Sequence, residues 1–226
     1  MTDQTPPASP DNPHAFSAAE RAAVYRAIAE RCDMRHFSGG TVAPELLARL
    51  LDAAHHAPSV GLMQPWRFIR ITSVELRRQI RALVEAERLR TAEALGERSE
   101  EFMRLKVEGV EDSAELLVAC LMDGRERFIF GRRTLPQMDL ASLSCAIQNL
   151  WLAARAEGLG MGWVSLFDPM ALAELLGLPE GAEPLALLCL GPVREFYPRP
   201  MLVEEGWAEE QPLAGMLYEN HWGQQP

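Results

Sequence analysis

The sequence predicts an α+β domain in which helices are layered against a sheet of few strands. Three observations carry this expectation. Long stretches place apolar residues at helical spacing, a handful of short runs read as strands, and the two kinds do not alternate in the βαβ rhythm of a doubly wound fold. The glycine cluster Gly158-Leu159-Gly160-Met161-Gly162 sharpens the last point. It follows a predicted helix and precedes a predicted strand, the reverse of the order a dinucleotide-binding fingerprint needs, so a Rossmann-type nicotinamide site is rejected.

The elements follow in chain order. Residues 1–14, with four prolines and several small polar residues but no basic start before an apolar run, read as a disordered tail and not as a signal peptide. Ser17 and Glu20 form a capping-box pattern for a helix that Ala23, Ile28 and their neighbours carry to about Arg31. After a turn through residues 33–40, Pro44 suits the first turn of a second helix, whose Leu46, Leu47, Leu50, Leu51 and Ala54 repeat at helical spacing until Pro58 stops it. Residues 66–72 read as a strand. Ser73 caps a long charge-rich helix to Ala94, and a further helical piece is expected from about Glu100 to Val110. Residues 115–122 read as a strand, 123–137 as an arginine-rich loop, and Leu140, Leu143, Ile147, Leu150 and Trp151 mark a core helix ending at Gly158. Short strands at 162–166 and 185–190 flank a small helix at 170–176. Residues 192–226, with five prolines and little periodicity, lie along the surface or along another subunit.

Composition narrows the function classes. The chain has 226 residues, which suits one large domain or two small ones, and 22 basic against 32 acidic residues give a net charge of −10. Such a chain is a poor candidate for coating nucleic acid or an anionic membrane. Its apolar runs fall far short of the roughly 20 residues of a membrane-spanning helix. Cys32, Cys120, Cys145 and Cys189 lie far apart with no C-x-x-C pair, and read as reduced, mostly buried thiols of a cytoplasmic protein. His55 and His56 point about 100° apart on a helix and cannot share a metal on one face, so no metal site is expected.

Three constellations could carry chemistry. In Arg31-Cys32-Asp33-Met34-Arg35-His36-Phe37, the two arginines either converge on one anion, whose oxygens their planar forks suit, or are helix-end arginines favoured by the macrodipole. Asp33 is an ion-pair partner or a functional acid. In Ala57-Pro58-Ser59-Val60-Gly61-Leu62-Met63-Gln64-Pro65-Trp66, two prolines fix the backbone around a glycine, so the loop either presents Ser59, Gln64 and the amides near Gly61 to a polar heteroaromatic ring or caps the core. The glycines at 158–162 would let backbone approach a flat ligand, with Ser165 just beyond. Arg125, Arg127, Arg132 and Arg133 read as solvated arginines or as a lid.

The segments C-D-M-R-H-F (32–37), A-P-S-V-G-L-M-Q-P-W-R-F (57–68) and 131–169, with A-I-Q-N-L-W-L-A-A-R-A-E-G-L-G-M-G-W-V-S-L-F-D-P, resemble the BluB branch of the nitroreductase-like flavoproteins. The resemblance runs from about residue 17 to about 210. It implies an α+β sandwich with a central, mainly antiparallel sheet flanked by helices, a single domain over 15–226 whose segment 192–226 packs on a partner subunit, and a homodimer with FMN between subunits. Members of this branch are 5,6-dimethylbenzimidazole synthases. The resemblance therefore implies that reduced FMN is itself the substrate, fragmented with O2 to the lower ligand of cobalamin and erythrose 4-phosphate. It places Arg31 and Arg35, with Cys32 and Met34 between them, at the flavin phosphate and ribityl end, and Ser59 and Gly61 beside the ring. Asp33 and Ser165 match the two functional side chains, and Arg199 matches an arginine that approaches the phosphate. Without a dinucleotide fingerprint, a separate flavin reductase is the expected source of FMNH2. Ordinary nitroreductases usually carry an asparagine two residues before the glutamine of the Q-P-W motif, and Leu62 stands there instead.

Overall fold

Ser17 starts the first helix, α1 (Ala18–Glu30), by a reciprocal cap: its hydroxyl accepts the Glu20 N–H at 3.3 Å, and the Glu20 carboxylate accepts the Ser17 N–H at 2.9 Å. The computed structural model describes residues 12–225. Most of the expected tail at 1–14, and Pro226, lie outside the described residues. Ala23 and Ile28 do not enter a core, since no residue of α1 is buried and Val24, Tyr25 and Ile28 are exposed.

Helix α2 (Pro44–His55) opens on its proline and buries Leu47, Leu50 and Ala54, one stripe at helical spacing. Ser73 caps α3 (Val74–Ala94) by accepting the Leu76 N–H at 3.2 Å. Two more helices complete the layers: α5 (Met138–Ala156), and α6 (Pro169–Leu176). Asp168 caps α6 by accepting the N–H groups of Met170 and Ala171. Between them runs one sheet of four strands, β1 (Trp66–Arg70), β2 (Glu115–Leu121), β3 (Gly160–Val164) and β4 (Glu183–Gly191), in the order β1-β2-β4-β3 with every neighbour antiparallel.

Both faces of this sheet are buried, and the strand period of two sorts the side chains. On β2, Leu117, Ala119 and Leu121 join Leu50, Leu143, Ile147 and Leu150 of α2 and α5, whereas Leu116, Val118 and Cys120 join Ile80, Val84 and Leu172 of α3 and α6. Each large side chain so buried contributes roughly 1.5–3 kcal/mol. The α+β sandwich with a central antiparallel sheet is thus the fold observed.

Local departures have tertiary causes. The helical piece expected to reach Val110 stops as α4 (Ser99–Arg104), where carbonyls that would continue it are taken by Arg88 of α3. Arg88 binds the carbonyls of Met103 and Leu105 at 2.6 and 3.2 Å, and Arg77 those of Ser113 and Ala114 at 2.7 and 3.1 Å. Arg125 is not solvated: it is buried against Asp139 at 2.9 Å, bonded also to Glu183 and the Gly181 carbonyl, while Arg132 reaches Asp139 at 3.1 Å. Arg127 and Arg133 are exposed. After β4, a short helix α7 (Met201–Glu204) and Trp207 fold onto α4 of the same chain, and the segment beyond is largely exposed. Among the described residues, no helix is long and apolar enough to cross a membrane.

Candidate active site

The chain leaves α1 in an extended conformation at Arg31 and runs beside β3, where the Met34 N–H donates to the Met161 carbonyl at 2.9 Å and Asp33 pairs with Met161 in a parallel bridge. The glycines of β3 make this possible. A β-carbon on Gly162 would sit 2.3 Å from the Met34 carbonyl oxygen and 2.6 Å from Arg35 Nη1, and one on Gly160 would sit 2.5 Å from Val193. The strand starts at Gly160, two residues earlier than expected, so both of these glycines lie within it. The close approach they allow is that of residues 33–35 of the chain itself, which corrects the expectation that they make room for a flat ligand.

Extended geometry sends Cys32 and Met34 into the interior, so only their backbone is left for a ligand. Asp33 and Arg35 hold the Trp163 peptide from both sides: Asp33 Oδ1 accepts the Trp163 N–H at 2.9 Å, and Arg35 Nη2 donates to the Trp163 carbonyl at 2.8 Å and to Asp33 Oδ2 at 2.7 Å. Ser165 follows one residue after β3. Asp33, Arg35 and Ser165 line one cavity of about 350 Å³, a size suited to a small-molecule ligand. Removal of the Asp33 carboxyl from water pushes its pKa up, against the opposing pull of Arg35, the Trp163 N–H and Arg31. Arg35 is buried, and its Nη1, packed against Gly162 and shielded from solvent, has no hydrogen-bond partner among the described residues, a costly arrangement.

The other expected residues lie elsewhere. Arg31 rests on the Trp151 ring, its guanidinium carbon 4.5 Å from the centroid, and does not line the cavity. Arg199 pairs with Glu204 at 2.6 Å on α7 and is likewise outside it. In the loop before β1, Ser59 Oγ accepts the Gln64 N–H at 3.0 Å, and Ser142 Oγ accepts the Val60 N–H at 3.0 Å. Gly61, Leu62 and Gln64 all have positive φ, a conformation that costs energy for the two non-glycine residues and fits a loop held for a purpose. This loop belongs to β1 and the cavity to β3, the two opposite edges of the sheet, and no residue of 57–66 lines the cavity.

The nitroreductase family profile matches residues 28–192. This chain belongs to the nitroreductase family. Within that family, the 5,6-dimethylbenzimidazole synthase of Rhodospirillum rubrum is 39% identical to it over 188 residues, 80% of this chain and 87% of the relative. A 5,6-dimethylbenzimidazole synthase of Rhodobacter capsulatus is 37% identical over 200 residues, 87% of this chain and 96% of the relative. Among solved structures, the NADPH:FMN oxidoreductase from Vibrio harveyi complexed with NAD+ shares the fold with a TM-score of 0.67 at 20% identity, covering 90% of this chain and 80% of that one.

In this nitroreductase-family chain the sequence reading missed the apolar part of the cavity's lining, formed by Phe102, Leu105 and Val107 after α3 and by Pro200–Leu202 and Trp207 near the C-terminus. It missed Tyr197 as well. That hydroxyl accepts the Arg35 N–H at 3.2 Å and lies 2.6 Å from His36 Nδ1. No periodicity marks these residues; the one signal was the aromatic character of Phe102, Tyr197 and Trp207 in segments otherwise rich in charge and proline.

Proposed function

We propose that this chain is a 5,6-dimethylbenzimidazole synthase, which fragments reduced FMN with O2 to 5,6-dimethylbenzimidazole and erythrose 4-phosphate. The observation that carries the reading is the convergence of Asp33, Arg35 and Ser165 on one cavity, in a chain whose relatives of that name match it over most of both lengths. The half-buried Asp33, the Arg35 guanidinium and the exposed Ser165 hydroxyl suit a ligand with carbonyl and hydroxyl groups. Reduced FMN would supply the electrons and, from its dimethylbenzene ring and one ribityl carbon, the product skeleton, with O2 as the oxidant and the pyrimidine part of the ring leaving as a third fragment.

In this reading the chain's own groups act as follows. Arg35 lends its positive charge to the flavin side of the cavity while its Nη2 keeps Asp33 and the Trp163 peptide in place. Asp33, its pKa raised by burial, moves a proton at Oδ2 or orients the ribityl end. Ser165, which has no structural hydrogen bond to satisfy, donates to the ring, and the apolar wall excludes water. Arg31 serves the phosphate end, and Arg199 joins it on releasing Glu204. Ser59 and Gly61 complete the site from a second protomer, because their loop stands at the opposite sheet edge. The functional unit is therefore a homodimer of single domains spanning 15–226, with segment 192–226 partly on the partner. It works in the cytoplasm and receives FMNH2 from a separate flavin reductase.

Chromatography after incubation with FMNH2 and O2 tests this. A benzimidazole product appearing as FMN disappears supports it. Intact FMN with steady NAD(P)H oxidation would assign the chain to the flavin-retaining oxidoreductases of its family instead, and tight FMN binding with neither outcome would make it a flavin carrier.

A further inference from the structure

The cavity is lined by two unlike sets of residues from different elements. Asp33, Arg35 and Ser165 come from the segment beside β3 and its end, and Phe102, Leu105 and Trp207 from α4, the residue after it and the C-terminal segment. The second set belongs to a small core of its own, in which Phe102 and Leu105 are buried with Ala92 apart from the two cores on the sheet, and Trp207 packs on them from the C-terminal segment. The Trp207 ring lies 6.0 Å from that of Phe102 at a tilt of 53°. Arg98 fixes it: the guanidinium carbon is 3.6 Å from the indole centroid, and Nη2 donates to the Trp207 carbonyl at 3.1 Å. Glu101 in turn accepts from Arg98 Nε and Nη2 at 2.9 and 3.1 Å. Trp207 is thus held in one orientation while half-buried and lining the cavity.

We propose that Trp207 is a specificity-determining residue, receiving the apolar, methyl-bearing end of a planar ring system whose polar edge faces Asp33, Arg35 and Ser165, and that Arg98 is its positioning residue. This rests on the flavin reading above and deepens it by assigning one end of the ring to each set. The isoalloxazine ring is divided in the same sense as the cavity. Its pyrimidine end carries carbonyl and N–H groups, and its other end is a dimethylbenzene. The reverse orientation would set methyl groups against the polar Asp33, Arg35 and Ser165 side chains, while carbonyls would face Phe102 and Leu105 without donors. An aromatic face is well matched to the dimethylbenzene end.

The test is binding, read on the full-length chain by flavin fluorescence and visible absorption, with FMN and with lumichrome, a ring lacking the ribityl phosphate. Trp207→Ala weakens both by the same factor, about tenfold, and Trp207→Phe by about threefold. Arg98→Ala falls between them, and Arg98→Lys recovers part of that loss. Melting curves establish that each variant is folded, and should Trp207→Ala not fold, Trp207→Phe and the Arg98 pair carry the measurement. Unchanged affinities in folded Trp207 variants overturn the assignment and leave the flavin reading standing. Weakened FMN with unchanged lumichrome overturns it too, placing Trp207 at the ribityl phosphate. A wild-type chain that binds neither ligand overturns the flavin reading itself.

Discussion

Gly162 and Met34 are packed so closely that a β-carbon on the first would lie 2.3 Å from the carbonyl oxygen of the second. The contact lets the Asp33–Arg35 segment lie on β3 and thereby places both charged side chains. Gly162→Ala is expected to destabilise the chain by roughly 1–3 kcal/mol, the usual cost of overpacking, and to abolish flavin binding. Gly215→Ala, where a β-carbon meets nothing within 4 Å, is the control and should shift stability by less than about 0.5 kcal/mol. Urea unfolding and FMN titration read both effects, and a Gly162→Ala chain that binds FMN normally would contradict this account of the site.

Asp33 makes a prediction whose sign follows from burial. Its carboxyl is raised above the usual range, so between the unfolded and folded pKa values the native state holds the extra proton. Wild-type stability then falls as pH rises through that window. Asp33→Asn removes the dependence, and the difference in melting temperature between wild type and variant should change across the window and level off above it. Product formation, if Asp33 acts as a carboxylate, falls as pH drops through its raised pKa. The variant should bind FMN, form little product and lack that acidic limb; an unchanged yield removes Asp33 from the mechanism.

The legibility of this fold followed the range of the interactions. Ser17 with Glu20, Pro44 and Ser73 announce helix starts because caps are made within a few residues. The end of α4 was not legible, since Arg88 binds its last carbonyls from a neighbouring helix. Nor could spacing distinguish a glycine that admits a ligand from Gly162, which admits a segment met far earlier in the chain. Asp33 and Ser165 were legible as a pair only through family resemblance, and Trp207 not at all, because its partners Arg98 and Phe102 are brought to it by tertiary folding.

The buried Arg125–Asp139 pair predicts stability without chemistry. Asp139 is the shared acceptor of Arg125 and Arg132, so Asp139→Ala leaves Arg125 with Glu183 as its remaining carboxylate and removes the acceptor of Arg132, and should cost about 1–3 kcal/mol. Urea unfolding measures it. Under conditions where the variant is folded, its FMN affinity should match wild type, and a specific loss of affinity would tie the arginine loop to the site.

Ser59 and Ser165 separate in the same way. Ser165→Ala breaks no hydrogen bond of the described structure, so stability should move by less than about 0.5 kcal/mol while product formation falls. Ser59→Ala frees the Gln64 N–H at a residue with φ of 48°, and should lower both stability and flavin binding. Differential scanning calorimetry alongside the product assay distinguishes them, and a destabilised Ser165→Ala chain would show that its hydroxyl has a structural role.

The opposite-edge placement of the Ser59–Gly61 loop and the Asp33–Ser165 cavity yields the sharpest test of the dimeric site. Gly61→Val forces a side chain against the Phe130 carbonyl, where even a β-carbon would sit at 2.9 Å, and so disables the loop half; Asp33→Asn disables the cavity half. If each site takes its cavity from one protomer and its loop from the other, a mixed dimer of the two variants contains one site with both defects and one with neither. Random pairing makes half the dimers mixed, each with one of two sites intact, so co-expressed variants should recover about a quarter of wild-type product formation although each alone forms little. A site built within one chain predicts no recovery, because every chain in the mixture then carries a defect in its own site. Product yield from the mixture, compared with that of each variant purified alone, decides between the two architectures.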